Sequence, residues 1–490
     1  MSFRRLVVGL TFLAVFTMAV RVSVDTDTWW HLRAGAWMTE QSQILRTDPF
    51  SLTRQGEPWV YPGWLAQVIL YTVYRVFGIT GLNLLTSLMV VIAFIFVWAQ
   101  LDAPPLLQAF VLILATTVSG VYWSARPHIF SFALTGIFLY LLARTREKNL
   151  SWLWLLPPLM ALWINLHGGF VIGFILIGIY LAGETIEVLL TIVLGKDKPS
   201  QGWHRNRSRI LTLIAVGFAC VAAVSLNPHG PQMLLYPFKT VSVGVLQDLI
   251  QEWQSPNFHR SEVQPFLWML LLIMVSLSLS RRRVRAIELL MVTSFSYMSF
   301  LAARNIALFA LVAAPVLARH SYAILEPHLH DRVLGPQVPE RFARGLNVVL
   351  FFLMTLAALI KVAGPLSSEV NLEAIEASVP VEAVKKIRIQ QPAGPLFNSY
   401  NWGGYVLWSL FPEYMSFVDG RTDLFGDEIL REYLMAWRAE PGWEQVIIRW
   451  DIQLALLEPY APLVRVLQES GWEKLYGDEQ AVVIAKGAEP

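Results

Sequence analysis

The sequence predicts a mainly α polytopic membrane protein that carries a soluble α/β domain near its C-terminal end. Three observations lead there. Of 490 residues, 55% are hydrophobic and 15% charged, where a soluble chain carries about 25% charged residues, and the mean hydropathy is +0.50. The apolar residues gather in runs near the ~20 residues a helix needs to cross a bilayer. After Lys361 these runs stop and charge density becomes ordinary.

Met1–Val24 has a basic start and an apolar run long enough to span, with no small-residue cleavage site before Asp25, so it reads as a retained anchor. Windows of spanning length fall at 6–24, 81–100, 104–122, 127–144, 150–166, 168–194, 208–226, 264–280, 284–301, 304–318 and 345–363, about eleven crossings. Trp64–Phe77 is shorter, and Gln67, Tyr71 and Arg75 recur on one helical face. That pattern predicts an interfacial or re-entrant helix. Arg4 and Arg5 place the N-terminus in the cytoplasm, and the basic loops Arg144–Lys148, Lys196–Arg209, Arg281–Arg285 and Arg319–Arg344 then all fall inside as well. The expected organisation is a membrane domain over 1–366, with an outer-face loop at 25–62 and surface helices, and an outer-face α/β domain over 367–490. In the latter, Val381–Arg388 and Asp427–Trp437 read as helices, and Ser416–Val418, Ile452–Leu457 and Ala481–Ile484 as strands. The expected location is the plasma or inner membrane.

The net charge of +2 is segregated between basic loops and an acidic last quarter, which gives nucleic-acid binding no support. The one cysteine, Cys220, lies in an apolar run and reads as a small buried hydrophobe. The same topology gathers the chemically unusual loops on the outer face: Asp25–Pro62, Arg126–His128, Asn165–Gly169, Asn227–Gly230, Glu252–Arg260 and Arg304–Asn305. Loops collect polar residues in any protein. Their joint placement on one side is the informative fact.

Within the first of these loops, Asp25-Thr26-Asp27-Thr28-Trp29-Trp30-His31-Leu32-Arg33 follows directly on the first apolar run. Trp30, Ala34 and Trp37 are spaced for one helix face, and the tryptophans are expected to anchor that helix at headgroup level. A carboxylate held there can accept a proton from an acceptor hydroxyl or amide. The same D-T-D spacing can instead hold a divalent cation through Asp25 and Asp27, or simply cap and solvate a helix end. Arg33, Arg126, Arg260 and Arg304 lie near the outer face, and the arginine fork suits a phosphate or pyrophosphate. His31, His128 and His167 can assist as donors. The plain alternative for each is a snorkelling side chain or an interhelical hydrogen bond. No H-E-x-x-H, G-x-S-x-G, P-loop or cysteine cluster is present, so zinc hydrolase, serine hydrolase and ATP-driven pump readings lack support. Asn398–Tyr405 and Phe417–Asp423 combine aromatics, amides and glycines that can contact a sugar or peptide, and equally suit turns between elements.

The order of these motifs resembles the protein-O-mannosyltransferase and aminoarabinose-transferase group of C-type membrane glycosyltransferases. Asp27-Thr28-Trp29-Trp30 with Met38 resembles its acidic-aromatic motif leading into a surface helix. Gly56-Glu57-Pro58-Trp59-Val60-Tyr61-Pro62 resembles its Gly-x-Pro-aromatic stretch, closed by Phe77-Gly78, and Tyr122–His128 its later outer turn with arginine. The recognisable motifs cover roughly 6–145. The resemblance implies a sugar donor on a polyprenyl-phosphate carrier, bound from the outer side, a protein, lipid or glycan acceptor, surrounding membrane lipid, and Asp27 as the base that contacts the acceptor. Two departures are visible: Tyr61-Pro62-Gly63 replaces a lysine often found at the proline turn, and His128 stands where an aspartate is common. Donor phosphate binding would then fall to other cations.

The leading expectation is a membrane glycosyltransferase of the cell envelope, with Asp27 as base, Asp25 as its electrostatic or metal-binding partner, and the arginines and histidines on the donor phosphate. A transporter or flippase of a lipid-linked glycan predicts charged residues near span centres, whereas here they concentrate at helix ends. A non-catalytic membrane protein that binds an envelope polymer predicts binding that survives loss of both acids.

Overall fold

A computed structural model describes residues 1–144, 150–194, 199–241, 244, 251–329 and 339–487. Residues 145–148, 196–198 and 330–338 of the predicted basic loops lie outside the described residues. Six helices are long and apolar enough to cross a membrane: Trp64–Trp98, Pro105–Tyr122, Gly168–Val193, Asn206–Val224, Ala303–His328 and Glu340–Leu366. Shorter apolar helices cover His128–Arg144, Leu150–Leu166, Gln264–Leu279 and Ala286–Leu301. With Phe3–Ala19, helices occupy every one of the eleven windows.

Ala303–His328 is the central element, with 67% of its apolar stretch buried, against 6% for Glu340–Leu366 at the periphery. Its small residues Ala307, Ala310, Ala313, Ala314 and Ala318 are all inaccessible. Small side chains let neighbouring helices approach closely where lipid leaves no hydrophobic driving force between them. Glu340–Leu366 packs mainly against Phe3–Ala19 and keeps Phe342, Leu346, Phe352 and Ile360 exposed, a face suited to lipid.

Trp64–Trp98 is two helices. Gly78 has φ 61° and ψ −155°, a region open essentially to glycine alone. The chain therefore breaks where Trp64–Phe77 was expected to end as a separate segment. Asn83 Nδ2 donates to Asn371 Oδ1 at 3.0 Å in a buried pair, which pins the start of the C-terminal segment to the second half.

The C-terminal segment forms a four-stranded mixed sheet of β1 (Leu396–Asn398), β2 (Leu454–Leu457), β3 (Glu473–Gly477) and β4 (Val482–Ala485) in the order β1-β2-β4-β3. β1 and β2 run parallel and the other pairs antiparallel. The helices Val381–Gln390 and Thr422–Trp437 agree with expectation. Ser416–Val418 does not join the sheet. Instead, the Asn398 carboxamide takes the part of a neighbouring strand, accepting from Phe417 N at 2.7 Å and donating to Val418 O at 2.9 Å. Ser416 pairs with Ser51 in an isolated bridge. β1 and β3 were not expected: β1 is three residues long, and β3 is mostly exposed and polar.

The loop after helix Thr28–Gln41 is tied to this sheet unit by a buried ionic cluster. Arg421 is 1% exposed, and its Nε and Nη2 donate to the two oxygens of Asp419 at 2.8 and 2.7 Å. Its Nη1 reaches Asp48, and the Asp48 carboxylate also accepts from Phe50 N and Ser51 N at 3.1 and 3.0 Å. The Phe50, Trp59 and Phe425 rings surround the guanidinium. Removing one partner of a buried pair leaves uncompensated charge and costs about 3–5 kcal/mol. Arg421→Met is therefore expected to destabilise the detergent-solubilised protein by about that amount, read as a lowered thermal midpoint and faster proteolysis within residues 42–62. An unchanged midpoint contradicts the clamp.

Candidate active site

Helix Thr28–Gln41 carries the acidic stretch, and its surroundings correct the expectation of membrane anchoring. Trp29 and Trp30 are each 6% exposed. Trp29 packs edge-on against Tyr74 and Tyr405, and Trp30 against Trp59 and Tyr61. The helix is covered by Gly403–Leu410 from the C-terminal segment, a contact from the other end of the chain that local spacing does not reveal. Gly403 and Gly404 permit it: a Cβ on Gly403 would lie 2.0 Å from Val418 O, and one on Gly404 2.8 Å from Thr26 O.

Asp27 stands at the N-cap position of this helix, yet its side chain makes no capping bond. Asp25 takes the local role instead, its Oδ1 accepting from Asp27 N at 3.0 Å. The Asp27 carboxylate is thereby released toward Arg126, whose Nη1 donates to Asp27 Oδ2 at 2.8 Å and lies 3.5 Å from Asp25. Arg126 Nη2 donates to both oxygens of Glu252 at 3.1 and 3.2 Å. Arg304 lies 3.9 Å from Glu252 and stacks over Trp253 at 4.4 Å.

Three carboxylates thus share two guanidiniums, and the surplus negative charge decides which acid keeps a proton. Burial pushes the Asp27 carboxyl up to about 7; Arg126 opposes that rise, while Asp25 and Glu252 add to it. For Glu252 burial also acts upward, but Arg126 and Arg304 outweigh it and hold the carboxyl at about 2. Environments that push neighbouring carboxyls apart divide acid–base roles between them.

The histidines are held neutral by geometry. His128 Nδ1 accepts from Arg126 Nε at 3.4 Å and its Nε2 donates to Tyr122 O at 2.7 Å, which fixes its tautomer. His167 Nδ1 accepts from Gly169 N at 3.1 Å and from Ser131 Oγ at 2.7 Å. Burial, with the Arg304 and Arg126 charges, keeps His167 down at about 3. His31 lies beside buried Gln67, its Nδ1 3.3 Å from Nε2, and burial together with the Arg126 charge holds it well below the usual histidine range.

Asp25, Asp27, Arg126, Arg304, His31, His128 and His167 therefore come to one place. Arg33 and Arg260 do not join them. Arg33 lies over the Phe411 ring at 4.9 Å and 3.9 Å from Glu40, because it projects from a different side of its helix than Asp27. Arg260 pairs locally with the exposed Glu262. Glu252 was not singled out from the sequence. Its signal was a carboxylate beside a tryptophan in one of the unusual loops. Asp423 was also missed as a site group: burial pushes it up to about 6, Tyr236 Oη donates to it at 3.3 Å, and its charge reaches Tyr61.

Among the described residues no three or more His, Cys, Asp or Glu are arranged to hold a metal ion. The Arg126 guanidinium occupies the place between Asp25 and Asp27 that a bridging divalent cation would take. The donor set fits an internal cation rather than a metal.

The membrane helix bundle with its docked mixed sheet shares its fold with solved membrane-embedded glycosyl-transferring enzymes. The chain is similar to the oligosaccharyltransferase AglB of the archaeon Archaeoglobus fulgidus, in complex with an inhibitory peptide and a dolichol-phosphate: 11% identity, 93% of this chain and 70% of that one covered, TM-score 0.57. An Archaeoglobus fulgidus oligosaccharyltransferase tethered to an acceptor peptide gives 12% identity, 99% and 74% coverage, and a TM-score of 0.57. ArnT of Cupriavidus metallidurans bound to undecaprenyl phosphate gives 14% identity, 98% and 97% coverage, and a TM-score of 0.48. No family model and no curated protein matches the sequence. At such identities the likeness to the two oligosaccharyltransferase structures establishes the fold alone.

Gly420 provides a test of the geometry that leaves every charged group in place. A Cβ there would lie 1.8 Å from Asp27 Oδ1 and 2.9 Å from Trp30 Nε1. Gly420→Ala is expected to displace the Asp27 carboxylate and alter its titration. Infrared difference spectra across pH should show a carboxyl titrating near 7, absent in Asp27→Asn and shifted in Gly420→Ala. An identical titration in Gly420→Ala contradicts the contact.

Proposed function

We propose that this protein is an inverting membrane glycosyltransferase that moves a sugar from a polyprenyl-phosphate carrier to an acceptor on the outer face of the membrane. The observation that carries the reading is the Asp27 carboxyl, free of any capping role and raised to about 7 within a C-type glycosyltransferase fold. A general base works best when its pKa lies near the working pH. The dolichol-phosphate and acceptor peptide of the similar solved enzyme support the substrate classes. Arg144, Arg209, Arg285 and Arg319 at one end of the bundle and the site at the other support a cytoplasmic N-terminus and an outward C-terminal domain over 367–490.

In this reading an acceptor hydroxyl or amide gives its proton to an Asp27 oxygen as it attacks the anomeric carbon. The bond between that carbon and the phosphate oxygen breaks on the opposite face, and the electron pair leaves with the carrier phosphate. Arg126 is already shared by three carboxylates, so its part is to orient Asp27 and set its charge. Arg304 has one ion-pair contact at 3.9 Å and a ring beneath it, which makes it the better partner for the departing phosphate. A donor there also stabilises charge that develops only in the transition state. His167 and His128 contribute as neutral groups.

Asp27→Asn is expected to lower transfer from labelled polyprenyl-phosphate sugars by about 10²–10⁴-fold, the usual worth of a positioned base. Undiminished transfer overturns the assignment. Because the base must be deprotonated, kcat/KM should fall as pH drops below about 7. Asp25→Asn removes a charge that raises the Asp27 carboxyl, so its acidic limb should move to lower pH. A limb that stays in place, or moves up, counts against Asp27 as the titrating group.

A further inference from the structure

A polar cavity lies at the end of the helix bundle away from Asp27, and the proposed transfer does not use it. Three helices connect the two places. His128–Arg144 begins beside Arg126 and ends at Arg144, Gly168–Val193 begins after His167 and carries Glu187, and Ala303–His328 begins at Arg304 and carries Arg319. A helix of 17 residues such as His128–Arg144 is about 25 Å long, which separates the two sites by most of a membrane. The cavity measures about 710 Å³, within the range of roughly 300–1,000 Å³ typical of small-ligand sites.

Among the described residues its wall presents Arg144, Arg209, Arg285 and Arg319. Four guanidiniums around one cavity suit recognition of an oxyanion such as phosphate, two of whose oxygens the arginine fork can hold at once. The acids around it are already engaged. Glu288 accepts from Arg319 and from Arg285 N, the latter at 2.8 Å; Glu187 accepts from Ala286 N at 2.9 Å and lies 3.4 Å from Arg283; Asp102 accepts from Arg282 at 2.8 Å. Glu184 is 4.0 Å from Arg209, and Glu326 is 3.8 Å from Arg282. Among the described residues these six arginines therefore face five carboxylates. Among the described residues Arg144 has no carboxylate partner, and its guanidinium is seated over the Tyr140 ring at 5.5 Å.

We propose that this cavity binds a phosphate group, with Arg144 on its Tyr140 seat as the recognising side chain. The phosphate belongs either to the headgroup of an anionic lipid or to a soluble phosphate compound entering from the cytoplasmic side. The full-length protein would be tested with two probes: inorganic phosphate in detergent, and phosphatidic acid in phosphatidylcholine nanodiscs. Saturable binding of at least one probe is expected, read by native mass spectrometry and by a rise in the thermal midpoint. Binding of inorganic phosphate assigns a soluble ligand, and binding of phosphatidic acid alone assigns the lipid headgroup. Arg144→Gln should raise Kd at least about tenfold, equivalent to about 1.4 kcal/mol, and Arg144→Lys should fail to restore it because the fork is lost. Tyr140→Leu, which removes the seat and no charge, should weaken the same binding and serves as the second variant. The proposal is overturned if neither probe saturates, if phosphatidylcholine is retained as well as phosphatidic acid, or if Arg144→Gln and Tyr140→Leu bind like the unaltered protein.

Discussion

The buried Arg421 guanidinium is the interaction on which the rest of the site depends. It is held by Asp419 on one side and by Asp48 on the other, so it joins the loop that follows the first acidic stretch to the last quarter of the chain. A buried charge with an incomplete set of partners is costly, which makes the joined arrangement strongly preferred over separated parts. Gly420 precedes Arg421 and is thereby brought against Asp27. The backbone there has no room for a side chain, and that tightness defines where the Asp27 carboxylate lies.

From this docking follows the electrostatic character of the site. Arg126 cannot neutralise Asp25, Asp27 and Glu252 at once, and Arg304 reaches only Glu252. The deficit falls on Asp27, whose carboxyl burial pushes up to about 7. The histidines add no charge, since each has a ring nitrogen facing a donor and lies close to at least one guanidinium. A membrane bundle alone would give helices ending near one another; the sheet unit and its loop remove water from the carboxylates and separate their affinities for protons.

Much of this was legible in the sequence where the signal is local. Apolar length marks the helices, since a bilayer requires every backbone polar group to be satisfied within the segment, and all eleven windows are helical. Asp27 and Arg126 were legible because charges at the mouths of apolar runs are few. What could not be read depends on distant partners. Trp29 and Trp30 have the spacing of an interfacial anchor, but Tyr405 and Trp408 cover Trp29 and Trp59 and Tyr61 pack on Trp30. Arg33 and Arg126 are the same residue type near the same face, and only their partners, Glu40 with Phe411 in one case and three acids in the other, set them apart. Ser416–Val418 has strand composition, yet a single amide, Asn398, replaces the neighbouring strand.

The contact between Gly420 and Asp27 also has a meaning in time. Synthesis proceeds from the N-terminus, so Asp27 emerges and enters the membrane long before Gly420 exists. Until the last quarter of the chain has been made and docked, the acidic stretch has Arg126 and Glu252 available but lacks the wall that fixes its carboxylate. The arrangement around Asp27 is therefore complete only once the last quarter of the chain has docked.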